Sequence, residues 1–215
     1  MTDDTELQPA VAAQFEALAE LLSSAPDAAW DTGSLCDGWR VREVVAHMTM
    51  PARYSDDQFM AELERCGYDF TRLSNEIATR DAEVPPAQLV ANLRSDVLRH
   101  WSPPGGGFRA ALNHVVIHGL DITVPLGAAR LAPDEIIRVV LDNLAKGGAH
   151  QYFGIDIDGR IFEAKDIDWT YGSGRALRGA AGDLALAMCG RRVPSGRLEG
   201  SPLRRRQPGD HDGSR

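Results

Sequence analysis

The chain has 215 residues, of which 43% are hydrophobic and 25% are charged, a balance typical of a folded protein with one sizeable domain and room for a small appendage. Its formal net charge of −8 argues against a nucleic acid or an anionic membrane surface as partner, and no apolar run approaches the ~20 residues of a membrane span. The acidic N-terminus is unlike a secretory signal, and the three widely spaced cysteines, Cys36, Cys66 and Cys189, make no disulfide framework, so we expect a cytoplasmic protein.

The first 128 residues have the pattern of an antiparallel helix bundle. Apolar residues recur at helical spacing along this part of the chain. Loops such as "SSAPDAAWDTGS" and "SPPGGG", rich in Pro, Gly, Ser and Asp, separate the periodic segments. The predicted helices cover residues 7–22, the segment from Val41 onward with a break near Pro51, residues 68–80, residues 86–98 with Pro86 in the first helical position, and residues 108–126.

After Gly127 the pattern changes. A helix is predicted near "APDEIIRVVLDNLAKGGA", and alternating apolar residues then predict strands, with Asp158–Gly159 as a hairpin turn and "YGSG" as a second turn. A last helix ends near Gly190. Residues 129–193 are therefore expected to form a small α+β domain. Residues 194–215 contain almost no apolar side chains, which predicts a disordered tail.

Two histidines, His114 and His118, stand four residues apart in "FRAALNHVVIHGLDI" and therefore share one helical face. His47 belongs to another predicted helix, and side chains of facing helices converge in the core of a bundle. Three imidazoles with an open fourth position are typical of a catalytic zinc site. The same residues could equally be packed core histidines, and their spacing alone leaves both interpretations open.

Three stretches carry a family resemblance. "SLCDGWRVREVVAHM", residues 34–48, has a Gly-Trp dipeptide before a helix that ends in His47; "NHVVIHGLDI", residues 113–122, places His114, His118 and Asp121 on one helix; and "IDWTYGSGRALRGAAGDLALAMCGRR", residues 167–192, has the order of a known C-terminal domain. Together they resemble the DinB-like, mycothiol-dependent maleylpyruvate isomerase family, over residues ~5–193. The resemblance implies a mainly α protein, in which a DinB-like four-helix bundle precedes the α+β domain.

The resemblance also implies a divalent metal, with zinc expected, held by His47, His114 and His118, and mycothiol as thiol cosubstrate. The chain departs from the isomerase branch at one position, since His114 stands where that branch has Glu. Three-histidine sites are usual in the wider DinB superfamily. A site of three imidazoles has one negative charge fewer than one of two imidazoles and a carboxylate, so its metal is a stronger Lewis acid.

Two further residues of these motifs are candidates for the site. Asp121 lies on the same helical side as His118. It could contribute to catalysis by accepting a hydrogen bond from the His118 imidazole and so orienting it, or it could be a helix-end charge. Arg191 could bind a carboxylate of substrate or cofactor bidentately, or be a solvent-exposed helix-end residue. Of the neighbouring residues, Glu43 is predicted to be a solvated surface acid, Cys36 a small buried apolar residue and Trp39 a packing residue at a helix start.

We therefore expect a metal-dependent mycothiol S-transferase or isomerase that acts on a small electrophile. A hydrolase with a metal-bound water has the same sequence signature, and a metal- or ligand-binding protein without turnover is the third possibility. Either a monomer or a homodimer fits the sequence.

Overall fold

The computed structural model describes residues 3–205. They form two compact units, which divide between Ala132 and Pro133, whereas the sequence analysis placed the division after residue 128. The first unit is helical and the second combines helices with short strands. Within residues 3–205, no helix is both long enough and apolar enough to cross a membrane.

A bundle of helices makes up the first unit, which confirms the predicted fold class. Helix α1 packs against the last helix of the unit, and the helix that begins at Val41 packs against several others. Its α-helices within residues 3–132 are α1 (Gln8–Ser23), α2 (Asp27–Trp30), α3 (Val41–Met48), α4 (Met50–Arg53), α5 (Asp56–Arg65), α6 (Phe70–Asp81), α7 (Pro86–Leu93), α8 (Asp96–His100) and α9 (Gly107–Thr123).

Local sequence signals account for several helix ends. Pro51 lies in the first turn of α4, where its missing N–H costs nothing, and the chain breaks between α3 and α4 as predicted. Pro86 opens α7, also as predicted. The helix expected to continue to residue 98 instead ends at Leu93, because the Ser95 side chain accepts a hydrogen bond of 3.3 Å from Val97 N and starts a separate helix, α8.

The core of the first unit lies where α1, α3, α6 and α9 meet. Helix α3 contacts both α6 and α9, and α1 contacts α9. Burial of each large apolar side chain stabilises the fold by about 1.5–3 kcal/mol. Because α3 is buried along almost its whole length, its polar residues are withdrawn from water together with the apolar ones. The buried apolar residues of these helices include Val11, Phe15, Leu18, Leu22, Val44, Val45, Met48, Leu73, Ile77, Leu112 and Ile122.

Asp4 closes the N-terminus of α9, the helix that contains two of the candidate histidines. Its carboxylate accepts hydrogen bonds from Phe108 N at 2.8 Å and Arg109 N at 2.9 Å, two of the amides that a helix leaves unpaired at its start. Gly107 has a φ of +65°, and a Cβ there would lie 2.4 Å from an Asp4 oxygen. A glycine is therefore required beside this carboxylate.

The second unit is the predicted α+β domain, and its described part, residues 133–205, contains two small sheets. In the larger, the strand order is β3-β2-β4-β5, with β2 and β4 parallel and the other pairs antiparallel; in the smaller, β1 pairs with β6. The elements are α10 (Asp134–Asn143), a kinked connection (Leu144–Gly148), α11 (Ala149–Phe153), β1 (Ile155–Asp156), β2 (Arg160–Ala164), β3 (Thr170–Gly172), β4 (Arg175–Gly179), α12 (Ala181–Met188), β5 (Leu198–Gly200) and β6 (Arg204–Arg205).

The hairpin predicted at Asp158–Gly159 is wrong. Gly159 does turn the chain, with a φ of +65°, but the strands on its two sides belong to different sheets, because β1 pairs with β6 and β2 pairs with β3 and β4. Pairing with distant strands has replaced the local hairpin, and turn residues alone do not determine which strands pair.

The prediction of a disordered tail from residue 194 is wrong for residues 194–205, and residues 206–215 lie outside the described residues. Strand β5 pairs with β4, and β6 pairs with β1. Two buried polar groups hold this segment: the Arg160 guanidinium donates to the carbonyls of Ser201 and Pro202 at 2.9 and 2.7 Å, and Asp183 accepts from Arg197 at 2.8 Å. Backbone pairing and buried polar contacts order the segment with little apolar burial.

Candidate metal centre

Three histidines from two helices of the first unit meet in the structure. His47 lies in the last turn of α3, and His114 and His118 lie on successive turns of α9. The ring centroids are 5.2 Å apart for His47 and His114, 5.0 Å for His47 and His118, and 4.8 Å for His114 and His118. Each histidine offers one nitrogen, and these three nitrogens lie within 4.8 Å of one another.

The spacing of two nitrogens matches what a shared metal requires. His114 Nε2 and His47 Nε2 are 3.2 Å apart. Two nitrogens on a tetrahedral zinc, each at about 2.0–2.1 Å, are separated by about 3.3–3.4 Å. The donor set and this distance therefore fit a divalent metal bound by imidazole nitrogens.

Asp121 orients one of the three imidazoles. Its side chain is fully buried, and its Oδ2 lies 3.0 Å from His118 Nδ1. A carboxylate can only accept hydrogen bonds, so the hydrogen lies on His118 Nδ1 and the lone pair on Nε2. This is the arrangement by which proteins orient metal-binding histidines.

Ser74, on α6, performs a comparable task for His47. Its Oγ lies 2.8 Å from His47 Nδ1, and both side chains are buried. The hydrogen bond turns the other nitrogen, Nε2, toward His114. Sequence reasoning missed Ser74, since it stands 27 residues from His47 in a helix with no motif to mark it.

The surroundings of His114 shift its pKa strongly. Burial, with a smaller contribution from the neighbouring His118, lowers the pKa of His114 to about 3 despite the opposing charge of Asp121. Its imidazole is therefore neutral at physiological pH, which leaves a lone pair for a metal. Its buried Nδ1 has no hydrogen-bond partner among the described residues, and the Trp101 ring lies against it at a centroid distance of 5.5 Å.

Cys36 and Trp39, in the loop before α3, also contact the centre. The half-buried Cys36 thiol donates to Asp121 Oδ2 at 3.1 Å, so the expectation of a merely apolar role is wrong. The Trp39 ring lies 5.2 Å from the His47 ring, and its Nε1 donates to Asn75 Oδ1 at 3.1 Å. Trp39 thus packs at a helix start, as predicted, directly against one of the three histidines.

Comparisons with known proteins place the chain in a family. Residues 11–123, more than half of the chain, match the family described as mycothiol maleylpyruvate isomerase N-terminal domain. The chain belongs to this family.

Two solved structures share the fold of this family member. One is a crystal structure of the mycothiol-dependent maleylpyruvate isomerase, and the other is a histidine-to-alanine mutant of it. Each is 16% identical to the chain, with 93% of both chains covered and a TM-score of 0.60. No curated protein matches the chain. The predicted DinB-like fold is thereby confirmed, including the addition of an α+β domain.

Glu43 does not have the surface position expected for it. It is 4% exposed and accepts hydrogen bonds from the backbone N–H and the guanidinium of Arg40. Burial by itself would raise the pKa of Glu43, but the hydrogen bonds from Arg40 outweigh it and lower that pKa. In this family member Glu43 therefore caps α3 and so fixes the start of the helix that ends in His47.

Arg191 lies in the second unit, just after α12, which ends at Met188 and is capped by Cys189. Its backbone N–H donates to Leu186 O at 3.0 Å, within the turn that ends the helix. The role of its guanidinium toward substrate or cofactor stays a prediction.

Proposed function

We propose that this chain is a metal-dependent mycothiol S-transferase or isomerase: it uses mycothiol as a thiol cosubstrate and either joins it through sulfur to a small electrophilic metabolite or isomerises that metabolite. One observation carries the proposal: in a member of the mycothiol maleylpyruvate isomerase family, His47, His114 and His118 bring three nitrogens within 4.8 Å of one another.

In this proposal His47, His114 and His118 hold the metal, with zinc as the expected ion. A divalent metal supplies one piece of chemistry, the deprotonation of a coordinated thiol at neutral pH. Asp121 and Ser74 hold the imidazoles of His118 and His47 so that one nitrogen of each remains available. His114 is neutral because of its lowered pKa, so three uncharged ligands leave the positive charge of the metal undiminished for the thiolate.

The resulting thiolate would add to an electrophilic carbon of the substrate. Loss of a leaving group with its electron pair completes an S-transfer. Addition to a double bond, rotation about the resulting single bond and expulsion of the thiolate complete an isomerisation, with no net change in atoms. Both routes need only a thiolate and an electrophile, and the same three-histidine centre serves either.

Arg191 is proposed, from its position in the C-terminal motif, to bind a carboxylate of the substrate or of mycothiol. A planar guanidinium recognises carboxylates through two parallel hydrogen bonds, which Lys cannot reproduce. Arg191→Lys is expected to raise KM for the carboxylate-bearing partner about tenfold, the effect of roughly one such hydrogen bond, while Arg192→Lys leaves KM unchanged. Equal KM values for the two variants would remove Arg191 from the proposal.

We also propose a cytoplasmic location, because a reaction that consumes a reduced thiol needs a reducing compartment. The absence of disulfides among the cysteines of the described residues is consistent with this location.

The experiment combines metal analysis with ligand titration. The purified protein should contain about one zinc per chain, and His47→Ala should lose it. Calorimetric titration should show saturable binding of mycothiol to the zinc-loaded protein and weaker binding of glutathione. Hydrolysis of a test ester or amide without any mycothiol binding would favour the hydrolase, and mycothiol binding without turnover of any electrophile would favour the non-catalytic binding protein.

A further inference from the structure

The loop of residues 34–39 is fastened to two of the helices that build the centre. Leu35 N donates to the backbone carbonyl of Asp121, on α9, at 3.0 Å. Within the loop, Ser34 Oγ accepts from Cys36 N at 3.1 Å and donates to Trp39 O at 2.8 Å. Trp39 in turn reaches Asn75 on α6. The backbone around Cys36 is therefore held on both sides, and the direction of its side chain is set.

The Cys36 thiol meets the carboxylate that orients His118. Cys36 Sγ lies 3.1 Å from Asp121 Oδ2, and the same oxygen lies 3.0 Å from His118 Nδ1. Sγ is 3.7 Å from His118 Nδ1. Asp121 Oδ2 thus accepts two hydrogen bonds. The one from the Cys36 thiol restrains the position of this oxygen relative to the His118 imidazole.

We infer that Cys36 is a positioning residue of the centre: its S–H holds Asp121 Oδ2 against His118 Nδ1, and thereby keeps the His118 lone pair on Nε2. The inference rests on the proposed function only in taking Nε2 as the metal-binding nitrogen. The hydrogen lies on sulfur because a carboxylate cannot donate. In this role Cys36 acts through its thiol hydrogen. Because Cys36, His118 and Asp121 also offer three ligand atoms within 4.8 Å of one another, the test must separate hydrogen bonding from metal ligation by sulfur.

Two substitutions separate this role from simple packing. Cys36→Ala removes the donor, and Cys36→Ser replaces it with a hydroxyl donor of similar size. Cys66→Ala is the matched control, because Cys66 is buried beside Met50, Leu73 and Ile77, a cluster that contains none of the three histidines. Two quantities are measured: the zinc affinity, by competition with a chelator, and the His118 tautomer, by nitrogen-15 NMR of the imidazole in the metal-free protein.

Cys36→Ala is expected to lower zinc affinity about tenfold, the lower end of the effect of partners that orient metal ligands, and to populate the tautomer with hydrogen on Nε2. Cys36→Ser should recover both quantities, and Cys66→Ala should change neither. A merely structural role would alter the stability of the fold but would leave the tautomer as in the parent protein.

Three results would overturn the inference. The first is an unchanged zinc affinity and tautomer in Cys36→Ala. The second, decisive if Cys36→Ala does not fold, is a tenfold loss of zinc affinity in Cys36→Ser, which retains a donor. The third is a thiolate-to-metal charge-transfer band in the cobalt-substituted protein that disappears in Cys36→Ser, since sulfur would then be a ligand.

These measurements use no mycothiol. A parent protein that binds zinc but not mycothiol would contradict the proposed function and leave the role of Cys36 intact. In a parent protein that binds no zinc, the tautomer of His118 still tests the inference.

Discussion

The three histidines and a second polar cluster in the first unit, formed by Arg53, Tyr54, Asp81 and the exposed Arg80, satisfy their polar groups in different ways. Asp81 accepts from Arg53 and from the Tyr54 hydroxyl, and Arg80 donates to Asp81 Oδ1 at 3.0 Å. Burial by itself would raise the pKa of Asp81, but these hydrogen bonds outweigh it and lower that pKa. Every charge in this cluster has an opposite charge or a donor beside it.

The histidine centre instead brings like groups together. Two Nε2 atoms face each other at 3.2 Å, and the neutral His114 cannot offset a neighbouring charge at physiological pH because its pKa is about 3. Converging lone pairs repel unless a proton or a cation lies between them. The comparison teaches that polar groups of opposite charge satisfy one another, whereas imidazole nitrogens that converge at this distance need a shared hydrogen or a cation between them.

The largest effect that distinguishes the two clusters should come from His114→Ala. Loss of one of three ligands is expected to lower zinc affinity more than 100-fold, beyond the ~10–100-fold effect of a residue that only orients a ligand. His100→Ala is the control, because His100 is exposed on α8. Metal content after dialysis checks both variants, and equal zinc content in the two would contradict the centre.

The carboxylates of Asp121, which is buried, and Asp81, which is half-buried, allow the next test. Asp121→Asn should lower zinc affinity about 10–100-fold, because an amide no longer fixes the hydrogen of His118 on Nδ1. Asp81→Asn serves as the matched change in the other cluster and should leave zinc affinity as it is. Chelator competition measures both variants, and a comparable loss of affinity in Asp81→Asn would show that general loosening of the unit, and not ligand orientation, is responsible.

The free energy of unfolding, unlike the zinc affinity, should depend on the carboxylate of Asp81. Asp81→Asn is expected to lower the free energy of unfolding by about 2 kcal/mol, since hydrogen bonds to a charged group are lost. Because the folded-state pKa of Asp81 is lowered, the unfolded chain binds the proton more readily, and the stabilisation by Asp81 is full above its unfolded pKa of about 3.9 and is lost as pH falls through the folded value.

Denaturant unfolding of metal-free protein over a series of acid pH values checks this prediction. The parent protein should lose stability on acidification more steeply than Asp81→Asn. Asp57→Asn, at an exposed position of α5, should follow the parent curve. If the free energy of unfolding fell equally with acid pH in the parent and in Asp81→Asn, the charge of Asp81 would not stabilise the fold.

The smallest effect is expected outside both clusters, at Asp4. Asp4→Ala leaves the first amides of α9 without their acceptor, which should cost about 1 kcal/mol of folding free energy. Zinc affinity should stay unchanged, because the histidines lie at least one full turn further along the helix. A loss of zinc affinity larger than the loss of stability would show that the start of α9 also positions the centre.

Much of the first unit could be predicted because helical periodicity is local. The spacing of His114 and His118 puts both on one face of α9, and Pro51 and Pro86 mark helix starts. The approach of His47 was predicted only as a possibility of bundle geometry, since 67 residues separate it from His114. The family motifs turned that possibility into an expectation.

Local sequence patterns did not predict the positions and contacts of Glu43, Cys36 and Ser74. Glu43 looked like a surface acid because the sequence around it does not reveal that α3 is buried along most of its length. Cys36 donates to a carboxylate 85 residues away, and Ser74 reaches His47 across 27 residues. Contacts at such separations depend on how helices pack, and no periodicity encodes them.

By itself, the sequence determined the helical character of the first unit, the α+β character of the second and the shared face of His114 and His118, because each depends on spacing within a few residues. Only the tertiary structure decided which nitrogen of His118 faces Asp121, which hydroxyl contacts His47, and that residues 198–200 and 204–205 add strands to the sheets. The physical reason is that a hydrogen bond to a distant partner forms only once packing has brought donor and acceptor within about 3 Å.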